Sequence, residues 1–200
     1  MRVMLSVLAM LWPGLACADQ PRPALPALYK VTGVSTGDVL NIRATPAATA
    51  PLVGVFADDA NDIEVTDLSL TGSWAQVNTG EQSGWVAFRY LTRQPEVTVF
   101  AGLPESLSCF GTEPFWNLRL TAEGLELNRP DGRMTYPVTV IGPQAAVALG
   151  LTGFQFQWMN GEDQVRARIL PGRCSDGMSD AVYALHYVDT YLGNSGCCSL

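Results

Sequence analysis

The sequence predicts an all-β protein made of two small domains. Three observations carry this. Apolar and polar residues alternate over short runs, as in Val165-Arg166-Ala167-Arg168-Ile169. The runs are punctuated by turn pairs, among them Thr71-Gly72, Thr79-Gly80, Glu123-Gly124 and Asn160-Gly161. No helical periodicity of useful length appears in the first half. Strands at this spacing predict a small barrel first, then an antiparallel β sandwich or open barrel.

The chain opens with Arg2 and an apolar run from Val3 to Leu11. Trp12-Pro13-Gly14 breaks the run and Ala16-Cys17-Ala18 follows. A basic start, an apolar stretch too short to span a bilayer and a small-x-small end predict a signal peptide over 1–18. Gly14-Leu15-Ala16-Cys17 also partly resembles a lipoprotein processing site, with Gly14 where a larger aliphatic residue is usual. Cys17 is therefore a candidate lipid anchor as well as a residue discarded with the leader. Localisation is expected in the periplasm or outside the cell, or at the envelope if Cys17 is acylated.

Four cysteines then remain: Cys109, Cys174, Cys197 and Cys198. An even number in an exported chain predicts disulfides. Bonding Cys197 to its neighbour Cys198 brings the two Cα atoms closer than disulfides usually allow. Two pairings stay open, each tying the C-terminal end to the regions of Cys109 and Cys174. A zinc site is disfavoured, with adjacent cysteines, no Cys-x-x-Cys and one histidine. No metal or other cofactor is expected.

The formal charge is −7, one unit more negative once Arg2 is removed. Without a basic run the chain lacks the clustered cations that nucleic acid or anionic lipid would need. No second long apolar stretch appears, so no membrane span is expected after processing.

Residues 19–28 hold Pro21, Pro23 and Pro26 and are expected to form an extended linker. The first domain is placed at 29–93. Its strand candidates are Leu40 to Arg43, Leu52 to Phe56, Ile63 to Val65, Trp74 to Val77 and Gly84 to Val86. The second is placed at 103–200. Its candidates are Trp116–Thr121, Leu125–Asn128, Thr135–Val140, Ala145–Leu151, Phe154–Met159, Val165–Leu170 and Tyr183–Val188.

Asn41-Ile42-Arg43, Pro46, Gly54, Trp74, Gly84-Trp85-Val86 and Tyr90-Leu91 follow one another in the order of a known pattern. In this the segment 29–93 resembles the bacterial SH3 domain family. The resemblance implies a small SH3-like barrel that binds a short peptide, often related to peptidoglycan, or an envelope protein. It makes Trp74, Trp85, Phe88 and Tyr90 candidate ligand-binding rings, and Arg43 a donor for carboxylates. Each has a competing structural role. Trp85 and Val86 would seal the barrel, and Arg43 would pair with a loop carboxylate.

Three further motifs are Cys109-Phe110-Gly111-Thr112-Glu113-Pro114-Phe115-Trp116, Cys174-Ser175-Asp176-Gly177-Met178-Ser179-Asp180 and Gly196-Cys197-Cys198. Together they resemble an uncharacterised family of bacterial envelope proteins, over about 107–200. The family brings no established activity. Members with a single terminal Gly-Cys imply the pairing Cys174–Cys197, which leaves Cys109–Cys198. Glu113, Trp116, Asp176 and Ser179 are the candidate motif residues here. Glu113, Asp176, Asp180 and His186 would make an acid/base set if gathered. The plainer expectation is that Asp176 and Ser179 close a turn, Glu113 fixes a loop, and Phe115 and Trp116 fill the core.

A non-catalytic binding protein is the reading these residues favour. Cell-wall Cys/His peptidases often carry bacterial SH3 domains, and Cys174-Ser175-Asp176-Gly177 superficially resembles a nucleophile turn. Such an enzyme needs a free thiolate and a separate histidine base. His186 is the only histidine and lies twelve positions on, and Cys174 is expected to be oxidised. No Gly-x-Ser-x-Gly elbow is present either. A second alternative is a carrier, with Phe154, Phe156 and Trp158 alternating along one strand to line an apolar cavity.

Overall fold

The computed structural model describes residues 22–100, 103–121, 123–146, 151–190 and 195–200. The expected signal peptide, Cys17 and residues 19–21 lie outside the described residues.

The first half is built of β1 (Ala27–Val31), β2 (Val39–Arg43), β3 (Leu52–Ala57), β4 (Ile63–Val65), β5 (Asp67–Leu68), β6 (Trp74–Thr79), β7 (Gln82–Ala87) and β8 (Leu91–Arg93). A 3-10 turn, Phe88–Tyr90, joins the last two. They form one sheet in the order β3-β2-β7-β6-β5 and another in the order β4-β1-β8. Alternation decides which side chains go inside. Tyr29, Val31, Leu40, Ile42, Ile63, Val65, Ala75, Val77 and Val86 make the core. Along β2, Leu40 and Ile42 are buried while Asn41 faces out and Arg43 is half-buried. The strand β1 takes in Ala27 and Leu28, which the sequence assigned to the linker. The correction has a simple cause: Pro26 closes the proline series, and Ala27 pairs with Val65 one residue later.

The second half opens with a hairpin of β9 (Thr98–Phe100) and β10 (Leu103–Pro104). Then come β11 (Ser108–Thr112), β12 (Phe115–Thr121), β13 (Gly124–Arg129), β14 (Gly132–Tyr136) and β15 (Val138–Ala146). The chain continues through β16 (Leu151–Asn160), β17 (Asp163–Cys174), β18 (Tyr183–Asp189) and β19 (Ser195–Ser199). These nine strands form one antiparallel sheet, β14-β13-β12-β11-β19-β18-β17-β16-β15. The edge strand β14 approaches β16, the strand beside the opposite edge, where the Tyr136 hydroxyl donates to Asn160 Oδ1 at 3.3 Å. The domain is thus a nearly closed barrel, the open-barrel member of the two expected architectures. Leu118, Leu120, Leu125, Leu127, Trp158, Val165, Ala167, Ile169, Leu185 and Tyr187 fill it.

Two strand assignments change. The run Thr135–Val140 is two strands, β14 and β15, separated at Pro137, which has no N–H to give a ladder. The run Ala145–Leu151 instead covers the end of β15 and the start of β16, with 147–150 outside the described residues. Trp158 belongs to the core and faces Tyr136 at 6.5 Å between ring centres. The side chains of Phe154 and Phe156 lie outside the described ones.

Strand β19 inserts between β11 and β18 and carries both C-terminal cysteines. Neighbours on a strand point to opposite faces. Cys198 therefore meets its register partner Cys109 in the core, while Cys197 bonds Cys174 from the other face. The disulfides are Cys109–Cys198 and Cys174–Cys197. This is the pairing implied by the envelope-family resemblance.

Two glycines make room for Trp116. A Cβ on Gly111 would run into the Trp116 indole, and one on Gly196 would run into the Phe110 carbonyl and the same indole. The indole lies against Tyr187, with ring centres 4.8 Å apart. Gly196→Ala is expected to cost about 1–3 kcal/mol, because the obstructing atom is backbone that cannot rotate away. Thermal unfolding of the variant checks this, and an unchanged midpoint would contradict it.

The two barrels share a hydrogen-bonded seam. Asn78 donates to the Val182 carbonyl and accepts from the Val182 N–H, both at 3.0 Å. Asp180 donates its N–H to the Glu81 carbonyl at 2.8 Å and accepts from the Ser83 N–H at 3.1 Å. Glu64 faces the second barrel nearby. Its Oε1 is shielded and makes no hydrogen bond among the described residues, with the Leu200 backbone N–H close to the carboxyl. Burial pushes the Glu64 carboxyl up to about 8, with the Leu200 N–H pulling weakly the other way.

Candidate functional site

A groove of about 400 Å³ opens on the first barrel. Its walls come from the loop after β1 (Gly33 to Asp38), the outward residues of β2, Trp74 at the start of β6, and the 3-10 turn. Each wall is fastened. The loop closes by a bond from the Asp38 N–H to the Ser35 carbonyl at 2.9 Å, and Gly37 donates to Asp58 Oδ2 at 3.0 Å. The turn is tied at both ends, Phe88 N–H to the Ser73 carbonyl and Thr32 N–H to the Tyr90 carbonyl. A fastened groove loses little freedom when it takes a ligand.

Three of the expected residues, Arg43, Trp74 and Tyr90, line this groove together. Arg43 donates from Nη1 to the Ala50 carbonyl at 2.7 Å, a neutral acceptor rather than the loop carboxylate that was its expected structural partner. Trp74 and Tyr90 are half-buried, each with part of its ring available.

Two expected residues do not line it. Phe88 is half-buried and packs edge-on against Tyr29 at 5.5 Å, against the barrel core and not along the groove. Trp85 shares the outward face of the sheet with Arg43, its register partner, but is not part of the groove wall. Arg89 was not singled out from sequence and does line the groove. Its guanidinium sits 4.7 Å from the centre of the Tyr90 ring, and Nη2 donates to the Tyr90 hydroxyl at 3.2 Å. The readable signal was its place between Phe88 and Tyr90, since a cation beside aromatic rings stacks on them.

In the second barrel the three motifs meet. Thr112 Oγ1 donates to the Asp176 carbonyl at 3.5 Å. Two depressions, of about 330 and 410 Å³, share the wall Phe110-Gly111-Thr112 and Asp176. The Asp176 carboxylate accepts from the N–H groups of Met178 and Ser179 and from Ser179 Oγ, at 3.0, 2.9 and 2.8 Å. These bonds, that from Met178 first, hold it below the usual carboxylate range. Ser179 Oγ in turn accepts from the Ala181 N–H at 3.2 Å. Trp116 is in the core as expected, but Phe115 is exposed, because along β12 it points to the face opposite Trp116; Glu113 is exposed in the turn between β11 and β12, ahead of a cis peptide bond to Pro114.

His186 and Asp176 border the smaller depression, whereas Glu113 and Asp180 do not. His186 Nε2 donates to the Arg173 carbonyl at 2.7 Å. Cys174, bonded to Cys197, carries no thiolate in this state. Among the described residues no group of three or more His, Cys, Asp or Glu is arranged to hold a metal ion, and no helix is long and apolar enough to cross a membrane.

No family model, curated protein or solved structure matches the chain.

Proposed function

We propose that this is an exported, non-catalytic envelope protein that binds a cell-wall peptide or an envelope protein partner through its first barrel, an SH3-like domain. The observation that carries the reading is the meeting of Arg43, Trp74 and Tyr90 in one fastened groove. Half-exposed rings beside a donor suit a short peptide laid along the surface. The disulfides of the second barrel fit an oxidising compartment, which supports the periplasm or a secreted form, with lipid on Cys17 as the alternative attachment. The second barrel serves as a binding or scaffolding unit, fixed to the first by the Asn78–Val182 and Asp180 bonds.

Pulldown of the mature protein against peptidoglycan fragments and envelope extracts tests the proposal. Wild type and Trp85→Ala retain ligand. Trp74→Ala and Tyr90→Ala weaken retention by at least about 2 kcal/mol, roughly thirtyfold. Equal retention by all four proteins would place binding elsewhere.

A further inference from the structure

We infer that the ligand of this groove is a peptide bearing carboxylates, held by Arg43 and Arg89 together. The inference rests on the reading of the groove as a peptide site and specifies what it selects.

Arg43 is half-buried, yet it donates to the neutral Ala50 carbonyl. Arg89 is fixed against Tyr90, by the ring face and by the hydroxyl. Neither guanidinium lies within ion-pair distance of a carboxylate among the described residues, where the one ion pair is Arg133–Glu126 at 3.7 Å. Arg43, partly desolvated and without a counter-ion, is costly alone and is relieved by an incoming anion, while Arg89 presents an exposed cation on the same wall. Asp38 is the one acid on the groove wall, and its Oδ1 already accepts from the Val39 N–H at 2.8 Å.

The groove wall therefore carries two cations and one engaged acid, within a chain of net charge −7. It is a local positive site on a negative molecule, which steers anions toward it and away from the rest of the surface. Guanidinium forks match carboxylates in two-point bonds, and both forks are already held in place. Trp74 and Tyr90 take the apolar parts of the same peptide.

Peptide carboxylates have two sources, an acidic side chain and a free C-terminus. Calorimetric titration separates them with four synthetic tetrapeptides. The first is Ala-Glu-Lys-Ala with a free C-terminus. The others are its C-terminal amide, its glutamine-for-glutamate version, and the peptide with both changes. Binding of the first should exceed binding of the doubly neutral peptide by about tenfold or more, and the two singly changed peptides then assign the source. Arg89→Ala should remove most of that difference, and Arg89→Lys should restore part of it. Equal affinity for acidic and neutral peptides would overturn the inference while leaving the groove as a peptide site. Failure of all four to bind, with Trp74→Ala indistinguishable from wild type in the pulldown, would overturn both.

Discussion

Replacing Cys109 and Cys198 together with alanine is expected to cost about 4–5 kcal/mol, the larger of the two disulfide losses. The bond joins residues 89 positions apart, against 23 for Cys174–Cys197. Loop-closure entropy in the unfolded chain grows with that separation, which puts the second loss at about 3 kcal/mol. Packing acts in the same direction, because Cys109 and Cys198 lie in the barrel core with no exposed surface. Domains of this kind carry roughly 5–15 kcal/mol in all, so the first variant keeps little margin. Urea unfolding of wild type and the two double variants measures the order. A smaller loss at Cys109 and Cys198 than at Cys174 and Cys197 would contradict it.

Glu64→Gln is expected to change how stability depends on pH. In the unfolded chain this carboxyl titrates near its ordinary value of 4.5, whereas in the seam burial pushes it up to about 8. Between those values the folded protein holds a proton that the unfolded chain has released. Its stability therefore falls as pH rises through that window and levels off above it. At about 1.4 kcal/mol per unit, the decline is on the order of 5 kcal/mol. Tyr183 faces the same carboxyl from β18 and is itself raised, mainly by burial, so the phenol stays neutral across the window. The Glu64→Gln variant has no proton to lose at this position and should show most of this slope removed. Unfolding free energies at about pH 5, 7 and 9 check the difference. Parallel curves for the two proteins would mean that Glu64 is solvated in the folded state.

What could be read from sequence followed from alternation. In β17, Val165, Ala167 and Ile169 are buried while Arg166 and Arg168 are exposed, as the residue pattern required. The strand β19 was not readable, because Ser195-Gly196-Cys197-Cys198-Ser199 has no apolar rhythm of its own. Its conformation is set by the neighbours β11 and β18, which it pairs on both sides. The same limit applies at the groove. Phe88 and Tyr90 are both half-buried aromatics packed against the core, two positions apart, and only the 3-10 turn between β7 and β8 puts Tyr90 alone on the groove wall. Asp180, an acid/base candidate by residue type, works through its backbone at the seam. Residue type does not show that role, because the deciding partners, Glu81 and Ser83, come from the other domain.

The most direct measurement is isotope-detected mapping of a wall peptide titrated into the mature protein. The peptide should perturb the amides of residues 33–43, Trp74 and Ala87 to Tyr90, the segments that form the groove. Those of the Asp176 turn and β19 should stay in place. Perturbations confined to the second barrel, or none at saturating peptide, would contradict the account.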